Sequence, residues 1–238
     1  MSAGLHYVNR LMSFFIEEGQ EMAMYEGIVG FFQEGGVFMY PIVIVLTLGL
    51  AISVERYLYL SKTSLTNRMV WKKITPHIKS GNFQQAVSVT SKSQSAIGQI
   101  LTYGLHRIKS AARRDDIEKA MEESLMEVMP RLEKRTHYLA TFANIATLLG
   151  LLGTIIGLIN AFTAVASANP AEKADLLSAS ISVAMNTTAF GLMVAIPLLL
   201  IHTVLQSKTT EIVDSLEMAS VKFLNAVDER RTAAGQPA

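Results

Sequence analysis

The chain has 238 residues, of which 50% are hydrophobic and 17% are charged, whereas a soluble domain usually carries about 25% charged residues. The net charge of +1 gives no indication of a nucleic-acid partner, and the lack of cysteine excludes disulfides, thiol catalysis and cysteine metal sites. The five histidines show no metal-binding spacing, and no phosphate loop or GxSxG motif occurs. We therefore expect no enzymatic activity and no bound cofactor.

The N-terminal segment, residues 1–34, mixes apolar residues with acidic ones. It contains one arginine, Arg10, and five glutamates, a pattern unlike the basic start of a secretory signal peptide. A partial apolar stripe through Leu11, Phe14 and Met22 predicts an amphipathic helix. We expect this helix on the periplasmic side, at the membrane surface or packed on neighbouring helices.

Three long stretches of the chain contain no Lys, Arg, Asp or Glu. They are residues 35–54, 136–171 and 176–207, and each reaches the roughly 20 apolar residues that a membrane-spanning helix needs. We predict an all-α membrane protein whose spanning helices cover residues 37–59, 139–163 and 179–205. Glu55 and Arg56, near the end of the first span, are expected to be interfacial anchors.

The remaining segments are polar and are predicted to extend the helices beyond the membrane. Residues 61–138 are a basic region of several short helices, and residues 206–238 continue the third helix and end in a tail. The helix over 115–135 has no break before the second span except Pro130, so we expect it to run on into that span. A short link at 167–175 joins the second and third spans.

The distribution of basic residues predicts the orientation of the chain. Residues 61–138 contain 14 Lys and Arg, whereas the N-terminal segment has only Arg10 and the 167–175 link only Lys173. Basic segments stay on the cytoplasmic side. The N-terminus is therefore predicted outside the cytoplasm and the C-terminus inside it.

Small and hydroxyl-bearing residues dominate the second and third spans. Glycines suited to close helix packing are Gly150, Gly153, Gly157 and Gly191, and Pro197 interrupts the middle of the third span. The polar candidates for an ion pathway are Thr147, Thr154, Asn186, Thr187 and Thr188. Two interpretations stay open, since these side chains could line a narrow hydrated path for a cation or could simply hydrogen-bond helices together.

The middle of each predicted span lacks an ionisable side chain. A threonine hydroxyl can solvate a passing ion, but it cannot carry a proton through its own ionisation. If the protein handles protons, the ionisable group must therefore come from a partner. The competing hypothesis, from a different class, is a purely structural membrane scaffold.

The spans resemble those of the MotA/TolQ/ExbB proton-channel proteins, and most closely the ExbB and TolQ branch. The resemblance covers roughly residues 36–206 and is carried by PIVIVLTLGLAISVERYLYL, NIATLLGLLGTIIGLINAF and TTAFGLMVAIP. It implies a pentamer around a dimer of an ExbD/TolR-like partner, whose single membrane helix supplies an essential Asp. It further implies that ion flow moves the pentamer relative to the partner and delivers work through a TonB- or TolA-like protein.

The resemblance also implies a bacterial inner-membrane location and places Thr154 and Thr188 in the pore beside the partner's Asp. One departure concerns Val183, which stands where many relatives carry a Glu. The additional hydroxyls of Thr147 and Thr187 leave room for a sodium-driven variant, because hard cations favour oxygen ligands. The sequence thus leaves H+ and Na+ open as the transported ion.

Overall fold

The computed structural model describes residues 29–32, 35–108 and 113–233, and within them the regular secondary structure is helical. Residues 29–32 are helical, and six helices follow within the described part of residues 35–233, namely α1 (Met39–Lys79), α2 (Phe83–Thr90), α3 (Ala96–Ile108), α4 (Arg114–Glu133), α5 (Thr136–Ser167) and α6 (Lys173–Ala233). The amphipathic helix expected in segment 1–34 falls almost entirely outside the described residues.

Among the residues that the structure describes, three helical stretches are long and apolar enough to cross a membrane, namely residues 39–79, 114–167 and 173–233. This confirms the prediction of an all-α membrane protein with three transmembrane helices. Helix α1 has 41 residues and α6 has 61, whereas about 20 suffice to span the hydrocarbon layer. Both helices therefore continue well beyond a membrane.

The helix expected to run from Asp115 into the second span is interrupted by a two-residue break at Lys134 and Arg135, and not at Pro130. Helix α4 ends at Glu133 and α5 begins at Thr136, because Lys134 has an extended ψ of 132° and Arg135 a left-handed φ of 65°. Pro130 instead lies inside α4. The break between α4 and α5 therefore lies at two residues that are neither Gly nor Pro, so the local sequence does not predict it.

The first of two compact units consists of the described residues up to Leu48 together with residues 142–197. It contains the start of α1, most of α5 and the first part of α6. Its buried side chains include Ile42, Ala146 and Val194. Phe190 joins them and receives the rings of Phe31 and Phe32 edge-on, at centroid distances of 6.2 and 5.0 Å.

The second unit consists of residues 49–141 and the chain from Leu198 onwards. Its core is apolar and comes from α1, α3, α4 and α6, including Leu60, Leu101, Met121, Leu132 and Phe223. The stripe of α6 that the sequence shows at 3–4 spacing is buried here, as expected for a helix that packs on others. Its members are Ile212, Leu216, Ala219, Phe223 and Val227.

Candidate ion pathway

Within the first unit, α5 and α6 approach each other closely along a seam of glycines. A Cβ atom added to Gly150 would lie 3.2 Å from the Cα of Thr188, and one added to Gly157 would lie 2.8 Å from the Cβ of Ala184. One added to Gly191 would lie 2.7 Å from the carbonyl oxygen of Ala146. The seam leaves no room for a side chain at these positions.

Thr188 joins the two helices by a hydrogen bond across the seam. Its Oγ1 donates to the carbonyl oxygen of Gly150 at 2.8 Å, and its side chain is half-buried. A hydroxyl has one proton to donate and two acceptor lone pairs. Thr188 therefore ties α6 to α5 and still keeps oxygen lone pairs that could face a cation.

Thr187 lies on another side of α6, inside the unit. It is 2% exposed, and its hydroxyl lies 2.7 Å from the carbonyl oxygen of Gly35 and 2.9 Å from that of Val183. Its methyl group fills the space beside Gly153. This environment is that of a packing residue, so the structure separates Thr187 from its neighbour Thr188.

Val183 packs against the turn that precedes α1. Gly36 in that turn has a φ of +73°, and a Cβ there would lie 3.2 Å from a methyl group of Val183. The two glycines of the turn thus allow close approach to α6. A carboxylate at position 183 would lie against this turn, beside the oxygen of Gly35 that Thr187 contacts.

Thr147 and Thr154 form a polar row on α5 on either side of Gly150. Their hydroxyls donate to carbonyl oxygens of their own helix, that of Thr147 to Ala143 at 3.1 Å and that of Thr154 to Leu151 at 2.6 Å. Thr147 is exposed and Thr154 half-buried. Seven residues apart, they share one helix face, and neither holds α5 to another helix.

Two further candidate residues of the third span differ in exposure. Asn186 is half-buried and Pro197 is exposed, the latter inside the continuous helix α6. In the part of the chain that the structure describes, no group of three or more His, Asp or Glu could hold a metal ion.

Glu55 and Arg56 have structural partners that the sequence did not indicate. Arg56 is 2% exposed. Its guanidinium donates to the carbonyl oxygen of Leu132 and lies 3.4 Å from that of Arg131. It thereby satisfies the C-terminal end of α4, where carbonyls lack helical partners. Glu55 forms an exposed ion pair with Arg135 at 3.1 Å.

These features define a multi-pass helical membrane protein with tightly packed, hydroxyl-rich second and third spans. The model of the MotA/TolQ/ExbB proton channel family matches residues 92–218, which is more than half of the chain. The chain belongs to this family, and the named relatives belong to its ExbB and TolQ branch.

Three relatives illustrate the similarity. A biopolymer transport protein ExbB homolog from Methanothermobacter thermautotrophicus is 28% identical over 190 residues. The match covers 79% of this chain and 66% of the relative. The biopolymer transport protein ExbB of Aquifex aeolicus is 30% identical over 47% of this chain and 72% of its own length. The Tol-Pal system protein TolQ of Haemophilus influenzae is 32% identical over 40% of this chain and 41% of its own.

Proposed function

We propose that the chain is the ion-channel and stator subunit of an inner-membrane motor complex, which couples the proton motive force to mechanical work on a TonB- or TolA-like protein. The observation that carries this proposal is the α5–α6 seam. It combines a hydroxyl bonded across the helices, from Thr188 to Gly150, with the row of Thr147 and Thr154 on α5. Family membership supports the same class of activity.

The hydroxyls of Thr147, Thr154 and Thr188 can solvate an ion. None of them can carry a proton through its own ionisation, so the ionisable group must come from a partner. Residues 136–171 and 176–207 contain no Asp or Glu, and Glu55 of the first predicted span is held in an ion pair with Arg135. We infer that a dimer of an ExbD/TolR-like protein supplies an intramembrane Asp, held inside a pentamer of this chain. The driving force is about 2.3 kcal/mol per elementary charge for each 100 mV.

The proposed topology places the basic region 61–138 in the cytoplasm and the link 167–175 in the periplasm. The charge asymmetry between them supports this orientation, because basic segments resist translocation. The long continuation of α6 past its span would then lie in the cytoplasm together with α2–α4. An impermeant thiol label on single cysteines introduced at Asn169 and Ser91 should react from opposite sides.

Thr154→Val should reduce ion flux without loosening the helix pair. The hydroxyl of Thr154 bonds only within its own helix, so its removal deprives the pathway of an oxygen and leaves the seam contacts in place. One hydrogen-bonding group contributes about 1–1.5 kcal/mol. Its loss from the pathway should therefore lower the ion flux roughly tenfold. Flux would be measured in liposomes that contain this chain and its partner.

The matched control is Thr163→Val. Thr163 is exposed on α5 and also donates to its own helix, to the carbonyl oxygen of Ile159 at 2.8 Å. Nine residues from Thr154, it lies on the opposite face of α5. We expect the ion flux of Thr163→Val to equal that of the unmodified protein. If Thr154→Val also showed unmodified flux, Thr154 would not be part of the pathway.

Two alternatives make different predictions in the same liposomes. A sodium-driven variant is favoured by the additional hydroxyl of Thr147, and it requires flux and work under a sodium gradient at constant pH. A structural scaffold is favoured by the packing contacts along the seam, and it requires an active complex with no flux of either ion. Proton flux that depends on the partner's Asp contradicts both.

A further inference from the structure

A cavity of about 390 Å³ lies in the second unit, bordered by α1, by the turn before α3 and by the end of α4. Its lining contains Lys62 from α1 and Arg131 from α4, together with hydroxyl and amide side chains and no carboxylate. The surface of a protein normally carries both positive and negative side chains. Because this lining has two cations and no carboxylate, it favours an anion.

The two cations are free to bind a ligand. Lys62 and Arg131 are exposed, and neither forms an ion pair with any residue that the structure describes. The sequence places Glu127 one helical turn before Arg131, a spacing that would allow a pair, yet no such pair forms among these residues. Within the described residues, no contact ion pair therefore neutralises either cation.

The opposite wall is the N-terminal end of α3. Asn67 accepts the backbone N–H of Ile97 through Oδ1 at 3.3 Å, and Ser95 accepts that of Gly98 through Oγ at 3.1 Å. The hydroxyls of Ser93 and Ser95 lie 2.8 Å apart. These hydrogen bonds already occupy the first N–H groups of α3, so the helix adds the positive end of its dipole to the two cations rather than free donors.

Asn67 carries a buried, unpartnered donor beside the cavity. It lines the cavity and is only 4% exposed, and its Nδ2 has no hydrogen-bond partner in the described residues. A buried N–H group without a partner is rare in folded proteins and is destabilising. An acceptor oxygen that entered the cavity and displaced its nearest side chains could satisfy this donor.

We propose that this cavity binds a phosphate group, either of an anionic lipid headgroup or of a soluble phosphate. Phosphate oxygens accept hydrogen bonds and carry negative charge, which matches two cations, a helix N-terminus and an unpartnered amide. Tyr59 is the last residue of the first predicted span, 37–59, and Lys62 follows that span by three residues, at the level where lipid phosphates lie. The site is separate from the ion pathway and does not depend on the function proposed for it.

The test is calorimetric titration of the full chain, purified in an uncharged detergent and a phosphate-free buffer. The probes are dihexanoyl phosphatidylglycerol, dihexanoyl phosphatidylcholine and inorganic phosphate, the short lipids being used below their micellar concentrations. Saturable binding of phosphatidylglycerol over phosphatidylcholine identifies an anionic lipid headgroup. Saturable binding of inorganic phosphate with equal or higher affinity identifies a soluble phosphate, and binding of no probe overturns the proposal.

The double variant Lys62→Gln/Arg131→Gln should weaken binding of the preferred probe at least tenfold, since charge-assisted hydrogen bonds contribute about 1.5–3 kcal/mol. The control is Lys72→Gln/Arg113→Gln. Both of its residues are exposed and lie outside the cavity lining, so the variant loses the same net charge. An equal loss of affinity in the two double variants would reveal general electrostatic attraction and overturn the site.

Discussion

Gly191→Val should separate α5 from α6 and sharply destabilise the first unit. The first added carbon would lie 2.7 Å from the carbonyl oxygen of Ala146 and 3.1 Å from the Cα of Gly150, and backbone atoms cannot rotate out of the way. Overpacking of this kind costs about 3 kcal/mol or more. We expect the midpoint of thermal unfolding, followed by helical circular dichroism in detergent, to fall by roughly 6–12 °C.

Gly30→Val is the matched control, because no atom of the described residues lies within 4 Å of a Cβ added there. Its unfolding midpoint should stay within about 2 °C of that of the unmodified protein. The unfolding midpoint of Gly191→Ala, which adds only the first carbon, should lie between those of Gly191→Val and Gly30→Val. A Gly191→Val protein as stable as the control would show that the helices can separate at this point without cost.

Part of this fold can be predicted from local sequence patterns. Long uncharged stretches predict three spanning helices, because the bilayer demands that length and composition. The pair Gly81-Asn82 marks the end of α1, and the structure gives Gly81 a φ of +74° and uses Asn82 as the cap of α2. Both features follow from local rules, so the sequence can supply them.

Contacts between distant residues could not be predicted in the same way. Thr187 and Thr188 are adjacent and identical in type, yet one is buried against Gly35 and the other bonds to Gly150 on α5. Helical periodicity separates neighbouring side chains by about 100°, but it does not say which face meets which helix. The role of each threonine in ion movement therefore stays a prediction.

The break between α4 and α5 depends on a similar long-range contact. The local sequence of Lys134 and Arg135 carries no Gly or Pro, and a left-handed φ is unfavourable for a residue with a Cβ. The guanidinium of Arg56, about 75 residues earlier, reaches the last carbonyls of α4, and Glu55 pairs with Arg135 itself. Tertiary contacts thus stabilise an end that propensity alone would not produce.

Arg56→Met should destabilise the second unit, because it keeps most of the apolar stem and removes the donors that reach the carbonyl oxygens of Leu132 and Arg131. Leaving buried acceptors without a partner costs about 1–3 kcal/mol, which predicts a fall of roughly 2–12 °C in the unfolding midpoint.

Glu55→Gln is the control for the neighbouring charge. Its pair with Arg135 is exposed on both sides, and such pairs contribute only about 0–1 kcal/mol, so the midpoint should move by no more than about 4 °C. Arg56→Lys keeps the charge but lacks the planar fork that can reach two carbonyls, and it should recover only part of the loss. Equal midpoints for Arg56→Met and Glu55→Gln would show that Arg56 acts only as an interfacial anchor, as the sequence alone suggests.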